Sequence, residues 1–270
     1  MTQVRTLVIT GHGTNCEVES AHAARMAGSD VTDIVFFSDI VAGRTRIDSY
    51  NFLIFPGGFL DGDDLGAAQA AAVRWRHAKT QAGQALLDQL KTFFEAGGLI
   101  LGICNGFQLL VKLGLLPALD GSYFARQVSL SNNDSARFED RWVTLAANPQ
   151  SPCVFTKGLT RLELPVRHGE GKLVPMAPEV LDTLLASGAV ALQYADPATG
   201  APTMDYPANP NGSPSAIAGL TDPSGRILGL MPHPEAFNHP TNHPGYTRGE
   251  RPTLGTVLFQ NAVAHLRSAA

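Results

Sequence analysis

The sequence predicts an α/β fold on a doubly wound parallel sheet, carrying a small mixed or antiparallel β extension, and three observations predict it. Short apolar runs alternate with helical patterns across the first two-fifths of the chain, the signature of parallel strands joined by crossover helices. Two apolar runs, Leu99–Ile103 and Leu228–Met231, each stop abruptly at residues suited to chemistry, and strand C-termini are where such sheets place their sites. From about residue 122 to 223 the pattern changes to short β-like pieces separated by Pro, Gly and Asn clusters.

Thr6–Thr10 reads as the first strand, followed by Thr14 and Glu17 as a capping box for a helix of about three turns. Val31–Phe37 and Asn51–Phe55 are further strands, the second ending at Pro56–Gly57–Gly58. Leu86, Leu87, Leu90, Phe93 and Phe94 share one face of a helix over 86–95, which Gly97–Gly98 terminate. In the middle, Arg141–Ala146, Leu162–Val166, Val190–Tyr194 and Ser215–Leu220 are strand candidates. A last helix is expected near Leu254–Leu266, with Leu254, Val257, Leu258, Ala262 and Leu266 in one stripe. The expectation is a single domain over residues 1–270.

The chain has 270 residues, 44% hydrophobic and 16% charged, with a formal charge of -4. That balance gives no electrostatic reason for a nucleic-acid or anionic-membrane partner. No apolar run approaches membrane-spanning length, and the N-terminus reads as a strand rather than a signal peptide. Cys16, Cys104 and Cys153 are odd in number, far apart and without metal-site spacing. A reducing cytoplasm fits them and would keep a reactive thiol free. The Asn-x-Ser matches at Asn133 and Asn211 carry no weight without secretion.

The chemistry centres on Gly102–Ile103–Cys104–Asn105–Gly106. A thiol on a tight strand-to-helix turn is a nucleophile elbow; the helix N-terminus that follows favours its thiolate. An unreactive core cysteine is the alternative. Pro232–His233–Pro234–Glu235 supplies a base. The prolines are expected to hold this segment extended, so that Glu235 falls on the same side as His233 and orients its ring. Cys104, His233 and Glu235 are therefore the candidate triad for acyl transfer. The developing oxyanion needs donors, and the backbone N–H groups of Asn105 and Gly58 are the candidates. His233, His239 and His243 match no compact ligand spacing, so no metal site is expected. His168, in Arg167–His168–Gly169–Glu170–Gly171, is either a second acid–base group or part of a glycine-rich surface loop.

Taken together, Gly102–Gln108 and the P-H-P-E segment resemble the class I, triad-type glutamine amidotransferases. A narrower resemblance, to the glutaminase subunits of phosphoribosylformylglycinamidine synthases, rests on four further segments. These are Gly13–Cys16, Pro56–Phe59, His168–Gly171 and Tyr206–Ser213. The resemblance implies a flavodoxin-like core in which Cys104 attacks the side-chain amide of glutamine. It implies ammonia passed to a large synthetase subunit, with or without a third small subunit, that uses ATP and magnesium to make an amidine from formylglycinamide ribonucleotide. No cofactor is implied for this chain. Gln108 is carried over as a glutamine-pocket residue, and Gly57 and Phe59, flanking Gly58, are further candidate substrate contacts. The chain departs from the family pattern at Leu60–Asp64, where S-Y-G-D is usual, at Glu17, where Asp is usual, and in the added segment 238–251. A stand-alone thiol hydrolase acting on an ester, peptide or γ-glutamyl bond is the competing reading. A non-catalytic subunit of the same fold is a third, disfavoured by the complete triad.

Overall fold

The apolar runs of the sequence become the central strands of one nine-stranded sheet in the computed structural model, which describes residues 3–268. In chain order the elements are β1 (Arg5–Thr10), α1 (Glu17–Met26), β2 (Val31–Phe36), the short α2 (Phe37–Val41), β3 (Phe52–Phe55), α3 (Gln69–His77) and α4 (Leu86–Glu95). Then follow β4 (Leu99–Ile103), α5 (Asn105–Leu113), β5 (Val128–Asn132), β6 (Glu139–Ala147), β7 (Arg161–His168), β8 (Glu170–Pro175) and α6 (Pro178–Ala186). The chain finishes with β9 (Val190–Ala195), β10 (Ile217–Thr221), β11 (Ile227–Leu230) and α7 (Val257–Ser268).

The sheet order is β2-β1-β3-β4-β11-β10-β9-β6-β7, with β5 and β8 forming a separate antiparallel pair. Pairing is parallel from β2 to β11 and antiparallel from β11 to β7. The predicted parallel core and its antiparallel extension are thus halves of one sheet. Strands β3, β4 and β11 are buried at every position, which is why they read as continuous apolar runs rather than alternating ones. Helix α1 packs with α7, and α3 packs with both α4 and α5. Burying Leu86, Leu90, Phe93 and Phe94 along α4 removes from water the stripe that the sequence displays.

Three local expectations need correction. Thr14 does not cap α1: Cys16 is the N-cap residue, with no side-chain cap, and Thr14 Oγ1 accepts the Gly11 N–H instead. The Gly13 turn (φ +91°) directs the Thr14 hydroxyl back toward the end of β1 rather than into the helix. Ser215 lies in a 3-10 turn before β10, not in the strand. The segment from Pro234 to Ala236 is a 3-10 turn rather than extended.

Candidate active site

The site forms where β4 ends against β11. Cys104 N–H donates to Leu230 O at 2.8 Å, locking the elbow to the end of the neighbouring parallel strand. Cys104 itself has φ +51° and ψ -103°, a strained backbone for a residue with a side chain. Two glycines make the turn possible. A Cβ on Gly106 would run into the Phe55 carbonyl, and one on Gly102 would come within 2.9 Å of the Gly106 backbone. The thiol therefore sits at the N-terminus of α5, whose nine residues are all buried. Its nearest hydrogen-bond acceptor is Arg167 O, at 3.6 Å.

His233 follows β11 and is tied to the antiparallel half by its N–H, which donates to Pro165 O of β7 at 2.8 Å. Its ring is 2% exposed and its Nδ1 lies 2.6 Å from Glu235 Oε1, Glu235 being fully buried. The tight turn at Pro234 brings the two side chains together, which the extended reading attributed to alternation. Asn238 Nδ2 donates to Glu235 O at 2.9 Å and holds the turn from the other side. Burial alone would keep the imidazole neutral, but Glu235 and then the Cys104 sulfur outweigh it and raise its pKa well above the usual histidine value. The ring thus takes up a proton readily, and its Nε2 is buried with no hydrogen-bond partner.

Cys104 and His233 line one cavity of about 520 Å³, together with Gly58, Phe59 and Gln108. Gly58 reaches it through a bridge to Thr14 in which Phe59 N–H donates to Gly13 O (2.7 Å) and Asn15 N–H to Gly57 O (3.3 Å). Neither bond uses the Gly58 N–H. Asn105 Oδ1 accepts the Leu60 N–H at 3.0 Å and its Nδ2 donates to Gln108 Oε1 at 3.0 Å, fixing the loop over the elbow. Gln108 Nε2 donates in turn to Glu170 O at 2.7 Å. Gly57 packs directly against the His233 ring and the Cys16 sulfur. A Cβ there would meet His233 Cε1 at 2.8 Å, so glycine makes room for the ring.

Several residues of the wall were not singled out from the sequence. Cys16 is one: its sulfur, a His233 ring nitrogen and a Glu235 carboxylate oxygen lie within 4.8 Å of one another. Burial raises the pKa of the Cys16 thiol. Its position just after the C-terminal end of β1 was the available signal. The wall also carries the acidic Asp63 and Glu170 and the basic Arg137 and Arg167. Burial, then the Glu170 charge, raises the Asp63 pKa.

His168 is not in a surface loop: it is a buried strand residue (3% exposed) at the end of β7, in the cavity wall. Asn133 Nδ2 donates to Arg137 O and His168 O, so its Oδ1 is the acceptor for His168 Nδ1–H at 3.0 Å. Burial, then the nearby His233, pushes the His168 pKa down to about 4. The ring is thus neutral at physiological pH. His239 and His243 have other partners, Thr241 for the first and Glu163 (3.1 Å) for the second. Asn133 and Asn211 are buried and hydrogen-bonded within the same region.

Residues 3–266 match the CobB/CobQ-like glutamine amidotransferase domain. The chain is 43% identical over 271 residues to a Dehalococcoides mccartyi protein called phosphoribosylformylglycinamidine synthase subunit PurQ, covering 99% of each. It is 41% identical over 242 residues to a Methanococcus maripaludis protein of the same name, covering 90% of this chain and 86% of that one. Among solved structures, a chain of PurLQS from Thermotoga maritima superposes with a TM-score of 0.70 at 27% identity. That match covers 98% of this chain and 100% of the other.

Proposed function

The chain belongs to the CobB/CobQ-like glutamine amidotransferase family, and we propose that within it this is the glutaminase subunit of a phosphoribosylformylglycinamidine synthase. It hydrolyses glutamine to glutamate and ammonia, and the ammonia goes to a synthetase subunit that makes the amidine of formylglycinamide ribonucleotide in purine biosynthesis. The observation that carries the chemistry is one cavity holding an elbow thiol and a buried imidazole with its own carboxylate at 2.6 Å.

In this reading Cys104 passes its thiol proton to His233 as its sulfur attacks the side-chain amide carbon of glutamine. The N–H groups of Gly58 and Asn105 take the oxyanion of the tetrahedral intermediate. His233, protonated and held by Glu235, gives its proton to the departing nitrogen, and a thioester remains on Cys104. His233 then takes a proton from water, which attacks the thioester and releases glutamate. The acidic and basic residues of the wall suit the opposite charges of an amino-acid substrate, with Phe59 and Gln108 as neutral contacts. Ammonia released to bulk water would protonate and lose its nucleophilicity, which favours direct transfer to the partner. This chain needs no cofactor of its own; ATP and magnesium belong to the synthetase. A cytoplasmic setting completes the proposal, in keeping with three free cysteines and with no described helix long and apolar enough to cross a membrane.

The test is a Cys104→Ala complex assayed with each nitrogen source. Glutamine-dependent synthesis is expected to vanish while ammonia-dependent synthesis stays within about twofold, the change expected when only the acyl-transfer step is removed. Loss of both activities would make Cys104 a structural residue and refute its role as nucleophile.

A further inference from the structure

The segment Tyr206–Ser213 takes no part in the acyl transfer, yet its buried end is bonded to the strands that wall the cavity. Asn209, Asn211 and Ser213 are each at most 2% exposed, so their polar atoms need partners within the protein. Asn209 Oδ1 accepts the Gly212 N–H and its Nδ2 donates to Ser213 O, both at 3.0 Å, which closes the loop on itself. Asn211 Oδ1 accepts the Ser213 N–H at 3.0 Å and the Ser213 hydroxyl at 2.7 Å. That fixes which end of the amide carries hydrogens. Its Nδ2 donates to Gly171 O at 2.9 Å and to Tyr194 Oη at 3.0 Å, while Asn211 O accepts the Asp134 N–H at 3.3 Å. The β5–β8 register jumps across Gly171, pairing Ser131 with Lys172 and Asn132 with Glu170. An irregularity of that kind breaks the ladder, and the backbone groups it frees need partners from elsewhere. A Cβ on Gly171 would come within 2.9 Å of Asn211 Nδ2, so glycine admits the grip.

We propose that Asn211 is a positioning residue for the glutamine pocket, holding Gly171 and Asp134 together and so setting the two wall segments that flank them. This rests on the glutaminase reading above. Gly171 follows Glu170, whose carbonyl accepts Gln108 Nε2 at 2.7 Å, and Asp134 leads into the turn that carries Arg137. Glu170, Gln108 and Arg137 all line the cavity, whereas Asn211 does not. Gln108 in turn bonds Asn105, whose side chain holds the Leu60 N–H. The grip at Asn211 thus reaches the elbow through a run of hydrogen bonds. The triad hangs on other elements, the turn after β4 and the turn after β11. Loosening the wall therefore weakens the hold on glutamine and spares the chemical step.

The experiment reads KM and kcat for glutamine in the complex with the synthetase, beside urea unfolding, for the wild type, Asn211→Ala and Ser213→Ala. Asn211→Ala is expected to raise KM about tenfold, the factor that one unpaired buried carbonyl brings, with kcat held within about twofold. Ser213→Ala keeps the bond to Gly171 and removes only its brace, so a rise of about threefold is expected. A Cys104→Ala chain, which binds glutamine without splitting it, is expected to show the same ratios in Kd. In that chain glutamine should also slow hydrogen exchange at the Ser213 and Leu173 amides, because coupling between two places is reciprocal. Those amides bond to Asn211 Oδ1 and Ser213 Oγ, and neither residue lines the cavity. A kcat that falls with the folded fraction at unchanged KM would make Asn211 an ordinary structural residue. Unchanged exchange at both amides would overturn the proposal whether or not the variants fold. Hydrolysis of glutamine by the wild type tests the underlying reading separately, so an unchanged KM in a hydrolysing complex counts against this inference alone.

Discussion

Among individual residues, the contact between Glu235 and His233 decides the catalytic proton. Glu235→Gln leaves the volume but removes the charge that raises the imidazole. We expect kcat to drop by ~10²–10⁴-fold with KM changed far less, as for loss of an oriented base. Steady-state kinetics check this, and an unchanged kcat would remove Glu235 from the triad. His168 makes a separate prediction about stability. Its pKa is about 4 in the fold against an ordinary histidine value of 6.5, so the unfolded chain binds the proton more readily. Its neutral form supports the fold above pH 6.5, and that support is lost as pH falls toward the folded pKa. The wild type should therefore lose about 2 kcal/mol relative to His168→Gln between pH 7 and pH 5 in urea titrations. His233, shifted upward, adds stability as pH falls to its unfolded value, but it does so in both proteins and drops out of the difference. Cys104, His233 and Glu235 were readable because local motifs surround each one. Cys16 was not, because its nearness to the imidazole depends on how the Thr14–Gly58 bridge sets two distant loops.

The strand-to-helix turn at Cys104 is the element on which the site stands. It needs two glycines for different reasons: Gly102 lets α5 approach β4, and Gly106 lets it approach the Phe55 carbonyl. Gly106→Ala forces the helix off the strand, and we expect it to cost about 1–3 kcal/mol, the range for overpacking, with glutaminase lost outright. Urea unfolding and activity measured on the same sample check both parts; full activity would show that the turn tolerates a wider separation. Strands β1, β3, β4 and β11 and helix α4 were legible because each buries a continuous run or a clear stripe, whereas the paired β5 and β8 went unread. Helix α6 was not, since Leu184 is its one buried residue and a single apolar position makes no periodicity. Helix α3 was hidden for a similar reason, burying two alanines and Trp75.

For the whole molecule, the parallel half contributes the nucleophile while β11, paired antiparallel to β10, leads to the base. The alternation of the first half made the parallel sheet readable; the order of its antiparallel continuation depends on long-range pairings that no local pattern contains. The Cys104 thiol has Arg167 O as acceptor at a long 3.6 Å, and His233 Nε2 has no hydrogen-bond partner. We therefore expect low glutaminase alone and a rise on the order of tenfold or more with the synthetase and its ribonucleotide, the usual scale of coupling between sites. Glutamate release measured with and without the partner checks this. A high basal rate indifferent to the partner would favour a stand-alone hydrolase.

Strand β4 cannot acquire its neighbour β11 until the chain has been made past residue 227, and the base lies six residues further on. During translation, a growing chain thus exposes its sulfur long before it has any means of splitting an amide, and unfinished polypeptides on the ribosome leave the cell's glutamine untouched.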